Sequence, residues 1–123
     1  MTFTHSVQQD VADFHAAMGQ PVGTTPEIRR PELRARLIKE EAKETCRALR
    51  HGDLVAAVDG LCDLLCVTYG AAVEMGIDLA PFWDEVHRTN MAKKGGPVRA
   101  DGKQLKPPGW QPPDVEGLLQ KLV

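Results

Sequence analysis

The sequence predicts an all-α fold, a bundle of four to five helices completed by homo-oligomerisation. Three observations carry this. Apolar residues recur at helical spacing in successive segments, glycines, prolines and aspartates punctuate those segments, and no stretch alternates apolar and polar residues with period two. With 123 residues, 42% of them hydrophobic and 26% charged, the chain fits a single domain that needs neither disulfides nor structural zinc to bury a core.

A first helix is expected from about Ser6 to Met18, with Val7, Val11, Phe14 and Met18 on its apolar face and Gly19 ending it. Residues 20–31 hold three prolines and read as a connection with room for a short turn near residues 24–29. The second helix starts at Pro31 or Glu32 and runs to about His51. There Gly52 can take the left-handed position after the helix, and Asp53 can cap the next one. The third helix, about Leu54 to Met75, is apolar around most of its circumference and must therefore be surrounded, which calls for a second subunit. Gly76 and Asp78 read as a stop and a new cap. A fourth helix follows over about Leu79 to Lys93 and tolerates Pro81 in its first turn. From about residue 94 the chain becomes a tail rich in proline, glycine and lysine.

A formal net charge of -2 gives no general attraction to nucleic acid or to an anionic membrane surface, so neither is an expected partner. Cys46, Cys62 and Cys66 lie in helical segments without metal-ligand spacing and read as buried thiols of a reducing cytoplasm. The N-terminal residues lack the apolar run of an export signal, and the apolar stretch from Leu64 to Val73 is too short to span a bilayer. A cytoplasmic location is expected.

The informative anomaly is acidic. At about 100° of rotation per residue, Glu40, Glu41 and Glu44 share the sector of Leu33, Leu37 and Ala48 on the second helix. Arg36, Lys39, Lys43, Arg47 and Arg50 gather on the opposite, solvated side. On the third helix Asp59 and Asp63 are one turn apart, on a stripe that continues through Gly70 towards Glu74. Like charges at this spacing repel and aspartate is a poor helix former, so local preference is violated twice, as tends to happen at functional sites. The ordinary explanation, pairing with lysine or arginine or exposure on a solvent stripe, finds no basic residue in that sector of either helix. An inward-facing set of carboxylates then needs an external cation. Oxygen ligands select a hard ion, Mg²⁺ with Mn²⁺ as substitute. A di-iron centre would want Glu-x-x-His, and no histidine sits three residues after a glutamate.

The run Glu40-Glu41-x-x-Glu44, then residues 61–70 (LCDLLCVTYG), then residues 85–93 (EVHRTNMAK) resembles the MazG-like all-α nucleoside triphosphate pyrophosphohydrolases. The similarity extends from about Val11 to Pro113. The resemblance implies an E-x-x-E helix followed by an E-x-x-D helix, Mg²⁺ binding, and cleavage of nucleoside triphosphates between the α- and β-phosphates. Glu41, Glu44 and Asp63 match that pattern. Gly60 stands where the second motif has its glutamate, and Asp59 is the residue that can replace it.

On this reading Glu41, Glu44 and Asp63 hold the metal with Asp59 assisting, and Glu40 orients or deprotonates the attacking water. Residues 93–106 carry Lys93, Lys94, Arg99, Lys103 and Lys106 against one acid, Asp101, which suits a phosphate clamp as well as a solvated tail. Asn90 and Lys93 match the family ending, and Lys103 and Lys106 join them as phosphate-binding candidates. By family position Phe14 and His15 are base-binding candidates. Trp110 could close over the base from the tail; packing is the alternative for both aromatics.

The expected activity is a house-cleaning (d)NTP pyrophosphohydrolase. Phosphoribosyl-ATP pyrophosphohydrolase and a nucleotide-binding dimerisation module without turnover are the alternatives.

Overall fold

The computed structural model describes residues 2–122. Among these it forms five helices and no strand: α1 (Ser6–Ala17), α2 (Pro31–Arg50), α3 (Leu54–Met75), α4 (Ala80–Met91) and α5 (Val115–Gln120). The all-α expectation is met. The chain divides into two compact units, Met1–Asp78 and Leu79–Val123.

In the first unit α3 is the central element, with α2 packed along it and α1 against it. The boundaries follow the sequence signals. Gly52 takes φ 67° and Gly76 φ 71°, a region that a side chain disfavours. Asp53 caps α3 through Oδ1, which accepts from the Ala56 N–H at 3.0 Å. Pro31 sits in the first turn of α2, where its missing N–H costs nothing. Phe3, Val11, Ala12 and Val73 form the core, with Val22, Cys66 and Tyr69 packed against it.

The buried faces differ from those the spacing predicts. On α1 the buried residues are Gln8, Val11, Ala12 and His15, whereas Val7, Phe14 and Met18 are exposed. Two polar side chains can be buried because backbone carbonyls meet them. Gln8 Nε2 donates to the Ile77 carbonyl at 2.7 Å, and the His15 ring to the Pro21 carbonyl at 2.9 Å.

Cys46 and Cys62 are exposed and Cys66 is half-buried, so the thiols are free but are not the buried set expected. Cys62 is exposed on a flank of α3 that little of the described chain covers, where Leu54, Val55, Val58, Leu61 and Leu65 are exposed as well. By length and composition α3, with 22 residues and an 18-residue window of mean hydropathy 1.6, is long and apolar enough to cross a membrane; Leu64 to Val73 is only part of it.

In the second unit α4 begins one residue later than expected, with Leu79 at the cap position. The segment after it is structured. Leu105 N–H donates to the Pro97 carbonyl and Arg99 N–H to the Lys103 carbonyl, both at 2.8 Å, around an isolated Val98–Gln104 bridge. Gln104 Nε2 donates to the Gly96 carbonyl at 2.8 Å. Asp114 then starts α5, its Oδ1 accepting from Gly117 N–H at 3.0 Å and its own N–H donating to Glu85 Oε2 at 2.9 Å.

Candidate functional site

Thr45 and Gly60 set the spacing of the acidic cluster. Both are buried where α2 meets α3, and Thr45 Oγ1 donates to the Glu41 carbonyl at 2.7 Å. A Cβ at Gly60 would lie 2.6 Å from Thr45 Oγ1 and 3.2 Å from Thr45 Cα, so position 60 is turned into the helix contact. The absence of a glutamate there follows from packing.

Around this contact the structure gathers all five predicted carboxylates into one electrostatic field. Burial and the negative charges of Asp63, Glu44, Glu40 and Asp59 together raise the Glu41 carboxyl above its ordinary value. Asp59 is the weakest of these contributors.

The inward orientation expected of these acids is corrected: Glu40, Glu44, Asp59 and Asp63 are exposed and Glu41 is half-buried. The reason is again the bare flank of α3. Glu41 is the exception in detail, since its Oε2 is shut off from solvent and has no hydrogen-bond partner among the described residues. As placed, no group of three or more His, Cys, Asp or Glu among the described residues converges closely enough to hold a metal ion. Coulombic repulsion acts over longer distances than the 2.0–2.6 Å (roughly) of an oxygen–metal bond, so a shared field and splayed carboxylates coexist. The donor set, oxygen only and uncompensated, matches a hard divalent cation. The orphaned Glu41 Oε2 is the atom most in need of one.

Glu74 behaves differently from the stripe to which it was assigned. It is buried, 1% exposed, and Arg30 grips it through Nε at 2.6 Å and Nη2 at 2.9 Å, while Arg34 Nη1 adds a contact of 3.2 Å. These partners hold its carboxyl below the usual range, Arg30 foremost. Basic residues therefore do enter the sector at its far end. Arg30 and Arg34 precede Glu74 by 44 and 40 residues, and no local spacing reveals such a pairing.

Phe14 and His15 meet edge to face, ring centroids 6.4 Å apart. Both line a cavity of about 440 Å³ together with Met18, Leu33, Arg34 and Leu37. Four other predicted residues converge in the second unit. Lys93 Nζ donates to Asn90 Oδ1 at 3.0 Å, and the Lys93 and Lys106 ammonium groups stand 5.3 and 4.7 Å from the Trp110 ring centroid. Trp110 Nε1–H donates to the carbonyl of buried Thr89 at 2.7 Å. Lys103 is exposed in the turn that Arg99 and Asp101 close.

A family model described as phosphoribosyl-ATP pyrophosphohydrolase matches residues 11–90. No curated protein matches the chain.

Proposed function

The chain belongs to the phosphoribosyl-ATP pyrophosphohydrolase family, within the MazG-like all-α NTP pyrophosphohydrolase superfamily, and from that premise we propose that it hydrolyses nucleoside triphosphates to monophosphate and pyrophosphate. Pyrophosphohydrolase chemistry on a phosphoric anhydride comes with the family. The observation that supports a cation-dependent site is the set of carboxylates whose charges act on Glu41, whose Oε2 has no partner among the described residues.

Glu41, Glu44 and Asp63, with Asp59 in the place of the glutamate missing at position 60, would hold Mg²⁺ or Mn²⁺. The ion would supply neutralisation of the polyphosphate charge and a more acidic bound water. Glu40, exposed beside this set, accepts the proton of the attacking water or orients it. In the second unit Asn90, Lys93, Lys103 and Lys106 offer donors and positive charge to an anion. In the first, Phe14 and His15 supply base-binding walls. The activity suits removal of surplus or non-standard (d)NTPs from a cytoplasmic pool.

A homodimer belongs to the same proposal. Val58, Leu61 and Leu65 form an exposed stripe on α3, with Val7 and Phe14 of α1 beside Leu65 across an apolar groove. Asp59 follows Val58 and so lies about 100° round the helix from the stripe. A second copy covering the stripe would border the acids and lower the dielectric around them.

The deciding experiment incubates the protein with Mg²⁺ and a panel of NTPs and dNTPs, scoring monophosphate and pyrophosphate. Release of both products is expected. Binding without turnover would make the chain a nucleotide-responsive module instead. The family description itself favours phosphoribosyl-ATP as the second substrate reading, and relative kcat/KM on the two substrate types separates them.

A further inference from the structure

The charges around Glu74 do not balance. One carboxylate faces two guanidiniums, and Arg30 alone reaches both of its oxygens, donating from Nε at 2.6 Å and from Nη2 at 2.9 Å. Arg34 shares one of them through Nη1 at 3.2 Å. Its Nε is shut off from solvent and has no partner among the described residues. Arg29 leaves this imbalance as it is, since it pairs with Glu27 at 3.4 Å and meets Glu74 only at the backbone carbonyl. One positive charge therefore remains unmatched. Its burden falls on Arg34, whose side chain is 12% exposed against 37% for Arg30, so that water screens it less.

That cation stands at one end of a seam. α2 and α3 run antiparallel, with Thr45 against Gly60, Arg34 against Gly70 and Arg30 against Glu74. Arg34 precedes Glu41 by seven residues and Gly70 follows Asp63 by seven. On each helix the two positions thus share a face and lie about 10 Å apart along the axis. Leu37 and Val67 stand between them, and with Phe14 and Leu33 they wall the cavity of about 440 Å³ that Arg34 also lines. The seam therefore runs from carboxylates, past an apolar pocket, to an unmatched guanidinium. Arg34 Nη2 stands 2.8 Å from where a Cβ of Gly70 would be, beside His15 Nε2 at 3.1 Å. Glycine keeps that end open.

We propose that Arg34 anchors an anionic group, a phosphate monoester or a carboxylate, on a ligand whose planar or apolar part fills the cavity. Charge-assisted bonds from a guanidinium suit the oxygens of either group, and the anion would supply the negative charge that Glu74 by itself does not. On the nucleotide reading above, on which this extension rests, the substrate class becomes a nucleotide that carries a second anionic group on the side of its base, away from the phosphates that the acids would hold through a cation.

An NMR titration of the full, isotope-labelled chain with phenyl phosphate, benzoate and the neutral isostere benzamide tests the site without turnover. At least one of the two anions should bind about tenfold more tightly than benzamide, or better, and should move the Gly70 amide resonance. Which anion binds more tightly tells a phosphate-bearing ligand from a carboxylate-bearing one. Arg34→Gln should remove the preference, and it should fold because Arg30 still holds both oxygens of Glu74. Gly70→Ala, whose methyl group enters the space beside Nη2, should narrow the same preference and serves as the second variant if the first does not fold. Benzamide binding as tightly as the anions, no binding of either anion, resonance shifts confined to the second unit, or a preference unchanged in a folded variant would each overturn the proposal. Anion preference at Arg34 in a chain that cleaves no triphosphate would sink the proposed activity alone. Cleavage without that preference would sink only this extension.

Discussion

Thr45 Oγ1 occupies the space beside Gly60, 2.6 Å from where a Cβ would stand, and the same hydroxyl donates to the Glu41 carbonyl. The residue that meets Gly60 across the α2–α3 contact thus also bonds the main chain at Glu41, and it excludes a side chain from position 60.

Restoring the family glutamate by Gly60→Glu should therefore fail to improve turnover. It should destabilise the fold by about 1–3 kcal/mol or more through overpacking and burial of charge. Urea denaturation and kcat/KM check this together. A Gly60→Glu protein that is as stable as wild type and more active would contradict the placement of Asp59 in the cluster.

Glu41 makes a stability prediction with a definite sign. Its folded pKa lies above the reference value of 4.5, so its stabilising contribution is fully present below pH 4.5 and is lost as pH rises through the folded value. Metal-free protein should then lose stability above pH 4.5 on this account. Glu41→Gln should flatten that dependence and match or exceed wild-type stability at pH 7, while turnover disappears. The measurement is denaturant unfolding in a chelator across a pH series. A Glu41→Gln protein less stable than wild type at pH 7 would refute the repulsion.

The opposite sign applies to Glu74. Its folded pKa lies below 4.5, so its contribution is present above that pH and lost as pH falls through the folded value. Glu74→Gln leaves Arg30 and Arg34 without their counter-charge and should cost about 3–5 kcal/mol at neutral pH. Thermal unfolding of the variant at pH 7 and pH 4 tests this, with the wild-type advantage expected to shrink at the lower pH. An undiminished advantage at pH 4 would assign the loss to packing.

Magnesium gives a prediction separate from turnover. Ions that neutralise the carboxylate field should raise the unfolding temperature of wild type and do so much less in Glu41→Gln. A fluorimetric melt with Mg²⁺ against chelator reads both. Equal shifts in the two proteins would place the ion elsewhere.

The exposed stripe of α3 predicts association. Sedimentation velocity at micromolar concentration should find a dimer or larger species, and Leu61→Lys, at a position 47% exposed, should yield a folded monomer. Wild type sedimenting as a well-folded monomer would remove the packing argument.

Much of this was legible along the chain because it rests on local chemistry. Helix ends at Gly52, Asp53 and Gly76 follow from left-handed geometry and capping, which need only neighbouring residues. The grouping of Glu40, Glu41 and Glu44, and of Asp59 with Asp63, follows from a turn of 3.6 residues. The sequence by itself therefore determined α1 to α4, their order and the acids each one brings, while α5 lies in the segment read as a tail. Tertiary structure alone decided which sides are covered. Gln8 and His15 are buried because distant carbonyls meet them, and Val7, Phe14 and Leu61 are exposed because little among the described residues lies over them. It also decided that Glu74 belongs to Arg30 and Arg34 and that Gly70 leaves the space in which Arg34 faces His15. Burial and long-range pairing depend on how helices dock, and no periodicity within one helix encodes its partner's surface.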